Sequence, residues 1–191
     1  MGYAADKIIL KNISLAVGGK GRIAICGKNA SGKSTLLKAI LGKDEIFKTG
    51  DWYLPRVDHI GYLDQHYSNL QPDLSVIQYI LDLRPDWTEI EARRHLGDFL
   101  FRKNEEVMQV AANLSGGEKA RLSLSMIAAK IPRLLILDEI TNNLDLETKE
   151  HVIQVLKEYP GGMIVVSHEE DFLKAIDIDH VYTITDGRLN F

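Results

Sequence analysis

A single nine-residue stretch constrains this chain more than any other: Gly27-Lys28-Asn29-Ala30-Ser31-Gly32-Lys33-Ser34-Thr35. It follows the apolar run Ile23-Ala24-Ile25-Cys26 and opens the helical pattern Leu36-Leu37-Lys38-Ala39-Ile40-Leu41. The order is therefore buried strand, glycine-bearing loop, helix N-terminus, which is the context G-x-x-x-x-G-K-[ST] requires. Glycines let the backbone approach a phosphate closely, and successive N–H groups form a nest for its oxygens. The unpaired N–H groups of the helix start, together with its dipole, make an anion site. Lys33 supplies a point charge for the outer phosphates, and the Ser34 hydroxyl is a ligand for Mg²⁺. A plain strand-to-helix turn explains the glycines alone but not the complete pattern. The stretch predicts a nucleoside triphosphate site.

Strands alternating with helices surround this loop and predict an α/β fold with a largely parallel sheet between helical layers. Ile8–Leu10, Ile13–Val17 and Asp51–Leu54 read as short strands, giving an antiparallel β portion near the N-terminus. His59–Leu63 is a further strand, and the pattern from Ser75 to Phe101 is helical, with a capping box at Thr88-Glu89-Ile90-Glu91. Ser115-Gly116-Gly117-Glu118 opens another helix, stopped by Pro132. Leu134–Leu137 is a continuous apolar run, as expected of a strand buried on both faces. A helix over about 146–159, the strand Met163–Val166 and a hairpin turning at Asp186-Gly187 complete the chain. At 191 residues one domain is the expectation, with a helical subdomain over roughly 70–130.

The net charge of −4 gives no overall nucleic-acid footprint and leaves room only for a local basic patch. Cys26 is the sole cysteine, so an internal disulfide and a cysteine-cluster metal site are excluded. Its place at the end of a strand suits a small buried residue better than a reactive thiol. No apolar stretch reaches the ~18 residues that span a bilayer, and no signal-peptide pattern opens the chain. A cytoplasmic setting, without membrane insertion, is the expectation.

Ligands of open α/β sheets lie beyond the carboxyl ends of the strands. Asp138 and Glu139 follow Leu134–Leu137 there: Asp138 is placed to hold Mg²⁺, and Glu139 to accept a proton from attacking water. The alternative is two solvated carboxylates at a strand end. His168 stands beyond Met163–Val166; a lone histidine is often structural, but this position favours chemistry. Gln65, just after another strand, offers a neutral amide to metal or water, or is polar surface. Ser115, Gly116 and Gly117 read both as a capped helix start and as a second anion site with no lysine of its own. One phosphate cannot occupy two distant glycine loops of one domain, so a second copy could bring this loop to the first copy's nucleotide.

Taken together these residues resemble an ATP-binding cassette ATPase over essentially the whole chain, a phosphate-loop NTPase fold. The motifs fall in that family's order: Tyr3 as adenine-stacking aromatic, the phosphate loop Gly27–Thr35, Gln65, the signature Leu114–Glu118, Asp138-Glu139, Asn143-Leu144-Asp145 as D-loop, and His168. The resemblance implies two cassettes sandwiching two ATPs, each phosphate loop facing the other's signature, with Glu139 polarising water and His168 at the γ-phosphate. Mg²⁺ would be held by Ser34, Gln65 and Asp138. The wording Asp138-Glu139-Ile140-Thr141-Asn142-Asn143-Leu144-Asp145 is similar to the D-E-P-T-N-H-L-D of the F branch, soluble tandem-cassette proteins acting mainly on the ribosome. Transporter cassettes usually carry S-A or S-G before the L-D. The short segment between Gln65 and Leu114 resembles a second cassette, which implies a piece of a longer tandem chain partnered by another cassette, in tandem or as a homodimer, and by the ribosome. The alternatives are the ATPase subunit of a membrane transporter and a module that uses ATP only to hold a dimer together. A kinase or GTPase does not need the Ser115-Gly116-Gly117 signature. Three residues depart from the family's pattern: Ala30 for glycine, Ile140 for proline and Asn143 for histidine. None removes Lys33, Glu139 or His168.

Overall fold

The computed structural model describes residues 1–4, 6–141 and 144–191. In chain order the elements are β1 (Arg22–Cys26), α1 (Lys33–Ile40), β2 (Ile60–Asp64), α2 (Val76–Leu83), α3 (Glu89–Asp98), α4 (Asn104–Met108), α5 (Gly116–Lys130), β3 (Leu134–Asp138), α6 (Leu146–Glu158), β4 (Gly162–Val166), α7 (Glu170–Ala175), β5 (His180–Thr185) and β6 (Arg188–Asn190). The sheet order is β2-β3-β4-β1-β5-β6. β1 pairs in parallel with β4 and β5, and β3 with β4, while β5 and β6 form an antiparallel hairpin. The hairpin turns at Asp186 (φ 49) and Gly187 (φ 71), two successive left-handed residues that match the twist of the strands they join.

The apolar runs behave as their continuity requires. β4 is buried along its whole length, and β1 and β3 in their interiors. Ile23, Ile25, Leu36, Leu37, Ile136, Ile164 and Val166 join one core in which α1 covers the sheet. The chain divides into two compact units: residues 1–62, 132–139 and 160–191, and residues 63–131 and 140–159. The first holds most of the sheet with α1 and α7, the second α2 to α6.

Two helix starts anticipated from sequence have the expected chemistry. Thr88 and Glu91 form a reciprocal capping box on α3, and Ser115 and Glu118 do so on α5. α5 ends at Lys130, with Ile131 in the left-handed conformation (φ 46) immediately before Pro132. The N-terminal segments anticipated as strands are not ladders. Gly2 makes single antiparallel bridges to Ile8 and Phe47, and antiparallel pairing there goes no further among the described residues. The reason is visible in the hydrogen bonds: Ile9 and Leu10 donate to Met1 O, Lys11 donates to Gly187 O, and the Met1 amine donates to Leu10 O at 2.7 Å. The segment is pinned by scattered bonds to different partners, so no continuous strand register forms. Asp51–Leu54 likewise forms no strand, and Tyr53 within it is almost fully exposed. α4 and α7, both short, carry too few turns to show a period in the sequence.

Candidate functional site

The first unit assembles the phosphate loop from the end of β1 and the start of α1. Gly27 (φ 148) begins the turn, where a Cβ would lie 2.7 Å from Ser31 Oγ and 2.9 Å from Ile184 O. Gly32 (φ 111) caps α1 in the left-handed conformation, and a Cβ there would reach 2.8 Å from Leu10 Cδ2. Both glycines are thus demanded by backbone and by close approach at once. Lys28, Asn29 and Ala30 are exposed on the loop, with Ala30 at φ 61: the backbone has kept the glycine-type angle and the alanine has accepted it. Lys33 is buried, its ammonium folded back onto Gly27 O at 2.6 Å and Lys28 O at 3.2 Å. Ser34 is exposed at the helix start and Thr35 is buried.

Two parallel strands deliver the remaining candidates of this unit. Asp138 ends β3 opposite Val166 of β4, and Tyr62 Oη donates to its Oδ2 at 3.3 Å. Glu139 donates its backbone N–H to Val166 O at 2.9 Å and takes a left-handed φ of 53, turning the chain sharply off the sheet. His168 follows β4. Its Nε2 lies 3.5 Å from Lys33 Nζ and 3.8 Å from Glu139 Oε1, so lysine, histidine and carboxylate from three separate segments share one corner. Cys26 Sγ is 3.4 Å from Ser167 O, joining the strand before the loop to the strand before His168. Burial pushes its thiol above the ordinary range and Lys33 acts in the opposite sense, which fits the inert packing role expected of it. Sequence reading missed Tyr62. It looked like one more residue of an apolar strand, and only the pairing of strands puts its hydroxyl on Asp138.

Tyr3 is half exposed, with the Lys7 and Lys38 ammoniums 6.0 and 5.9 Å from its ring centroid. Lys38 stands five residues along α1 from Lys33, so the ring is recorded beside the body of the helix. Gln65 is half-buried just after β2, in the second unit. That unit also carries the signature stretch. Ser115 Oγ accepts from Glu118 N at 3.3 Å, and Glu118 Oε2 accepts from Ser115 N at 2.8 Å. Gly116 is exposed, but Gly117 is buried, because Asp145 and Thr148 occupy the space beside it. Asn143 lies outside the described residues; Asp145, two positions on, caps α6.

The donor set fits a hard, water-rich cation. Among the described residues no three His, Cys, Asp or Glu side chains cluster as a protein-only metal cage. A hydroxyl and a carboxylate, completed by nucleotide oxygens and water, are what Mg²⁺ takes.

Fold and loop together define a phosphate-loop NTPase of the cassette type. The family described as ABC transporter matches residues 10–142, and the chain belongs to that family of ATP-binding cassettes. The probable ATP-binding protein YheS of Escherichia coli K12 is 38% identical over 189 residues, 98% of this chain and 29% of that protein. The human ATP-binding cassette sub-family F member 3 is 35% identical over 175 residues, 91% of this chain and 24% of its own length. The chain thus spans less than a third of these relatives, and the resemblance to the F branch is met by a relative that bears its name. Among solved structures, a dimeric post-hydrolysis ATP-binding cassette bound to ADP and Pi superposes with a TM-score of 0.75 at 22% identity, covering 98% of this chain and 91% of that one. A bacterial Atm1-family ABC exporter with ATP bound gives 0.81 at 21% identity, covering 100% and 36%. At these identities the likeness is one of fold.

Proposed function

We propose that this chain is an ATP-hydrolysing cassette, the second of a longer tandem protein, which closes on ATP against a partner cassette and acts on the ribosome. The observation that supports it most is the corner formed by Lys33, His168 and Glu139 beside the phosphate loop. The backbone of Gly27–Gly32 and the N–H groups of Lys33, Ser34 and Thr35 cradle the phosphates. Lys33, whose ammonium sits on the Gly27 and Lys28 carbonyls, supplies positive charge to the β- and γ-oxygens. Ser34 and Asp138 would hold Mg²⁺, which would supply charge neutralisation of the phosphates when bound. Glu139 takes a proton from water as its oxygen bonds to the γ-phosphorus and the bond to the β,γ-bridging oxygen breaks, releasing ADP. His168 orients the γ-phosphoryl group. Gly116 and Gly117 present helix N–H groups, and Ser115 its hydroxyl, to the nucleotide of the partner cassette, and Tyr3 stacks on the adenine.

The ribosomal assignment draws on the Asp138–Asp145 wording and on relatives of the F branch. No helix among the described residues is long and apolar enough to cross a membrane. The deciding experiment places Glu139→Gln in the full-length parent protein, adds Mg-ATP and sediments a cell lysate through sucrose. Comigration with ribosomes, abolished by adding Lys33→Ala, is the expected result. Comigration with membranes would reassign the protein as a transporter subunit, and a protein left at the top of the gradient would remove the ribosome from the proposal.

A further inference from the structure

Gly117 occupies the second position of α5 and is not among the glycines with positive φ, so its backbone conformation makes no demand for glycine. A glycine inside a helix is costly relative to alanine. The demand comes from outside the helix. A Cβ on Gly117 would lie 3.0 Å from Asp145 Oδ2, 3.1 Å from Thr148 Oγ1 and 3.7 Å from Thr148 Cγ2. Those atoms are fixed. Asp145 Oδ1 accepts from Thr148 N at 2.9 Å, and Oδ2 accepts from Thr148 Oγ1 at 2.8 Å. Thr148 is buried, at 4% exposure. Two helix N-termini, those of α5 and α6, therefore meet with a carboxylate between them. Their positive dipole ends would repel, and the Asp145 charge offsets both. Arg121, on the next turn of α5, adds a further favourable charge toward Asp145.

We infer that Thr148 is a positioning residue for the signature loop: with Asp145 it forms a stop on which Gly117 seats, fixing where Gly116 and Gly117 present their N–H groups. The Thr148 hydroxyl locks the Asp145 carboxylate in one orientation, and the carboxylate surface sets the depth of the first turn of α5. The inference builds on the reading of Ser115–Gly117 as the loop offered to a partner's nucleotide.

The test is Thr148→Val against Thr148→Ser in the 191-residue chain, read first by hydrogen exchange without nucleotide. Valine removes the donor and keeps the shape; serine keeps the donor. Thr148→Val should speed exchange of the Gly117–Lys119 amides by about five- to tenfold, the factor that one lost hydrogen bond carries. Amides in the last turn of α5 should not change, and Thr148→Ser should match the parent. Nucleotide affinity measured on the single chain should stay constant, because Lys33 and its loop lie in the other compact unit. In a Glu139→Gln background, ATP-dependent association of two chains should weaken by a similar factor. Unchanged exchange in Thr148→Val, or a rise spread evenly over α5 and α6, would overturn the positioning role. If exchange responds as expected but the Glu139→Gln chain itself never associates with ATP, the positioning stands and the two-cassette reading falls.

Discussion

Ala30 shows how much one side chain can report. A left-handed conformation costs an L residue roughly 1–2 kcal/mol, and Ala30 holds φ 61 on an exposed loop. Glycine would remove that strain but return about 0.4–1 kcal/mol of freedom to the unfolded chain. The net for Ala30→Gly is a stabilisation of about 0.5–1 kcal/mol, a rise of roughly 1–4 °C in the unfolding midpoint at this chain length. Calorimetry without nucleotide checks it, and a lower midpoint would mean that the alanine is at ease there. Glu139 holds a similar angle, φ 53, and the proposed mechanism gives that turn a chemical use. The turn aims the carboxylate toward His168, 3.8 Å away, where a straight continuation of β3 would carry it past. Replacing it with glutamine keeps the shape and removes the proposed base. Steady-state turnover should fall by about 10²–10⁴ with ATP affinity retained, and a variant as fast as the parent would end the assignment.

At the level of elements, two glycines that look alike in the sequence behave oppositely. Gly117 is walled in by Asp145 and Thr148, whereas nothing lies within 4 Å of a Cβ built on Gly97 in α3. Gly97→Ala should therefore stabilise by about 0.5–1 kcal/mol through helix propensity and the unfolded state. Gly117→Ala should destabilise by about 1–2 kcal/mol, since a cap must be pushed aside. Denaturant midpoints measured side by side decide it, and equal effects would refute the packing argument. Asp145 adds a pH signature. The Thr148 backbone and hydroxyl donors, then the charge of Arg121, hold its carboxyl below the usual range. A depressed folded pKa gives stability that is full above the unfolded value of about 3.9 and lost as pH falls through the folded value. Asp145→Asn should flatten that acid limb in melts collected below about pH 4. These contrasts mark the limit of what the sequence reveals. The loop Gly27–Thr35, the strand-end carboxylates, the α3 and α5 caps and the Asp186-Gly187 hairpin were legible because each rests on neighbours in the chain. Tyr62 on Asp138, Cys26 against Ser167 and Gly117 under Thr148 were not, because each depends on strand order or helix packing. The failed N-terminal strands belong there too: Ile8–Leu10 has strand composition, but its hydrogen bonds go to Met1 rather than to a ladder.

For the whole molecule, the nucleotide is expected to act as a structural ligand as well as a substrate. A ligand that binds only the folded chain stabilises it by about 2.7 kcal/mol at one hundred times its Kd. For a chain of this size that is a rise of roughly 5–10 °C in the midpoint. Lys33 ties the phosphate loop together through the Gly27 and Lys28 carbonyls. Lys33→Ala should thus act twice. The nucleotide-free midpoint should fall, because a buried cation that ties both carbonyls is lost, and most of the ATP-dependent rise should vanish with it. Glu139→Gln leaves both the loop and its carbonyl contacts in place, so its ATP-dependent rise should equal or exceed the parent's once turnover no longer drains the ligand. Differential scanning fluorimetry of the three proteins with and without Mg-ATP separates binding from hydrolysis in one experiment. A Lys33→Ala chain that still gains the full rise would show that ATP binds elsewhere, and the corner shared by Lys33, Glu139 and His168 would lose its claim to the γ-phosphate.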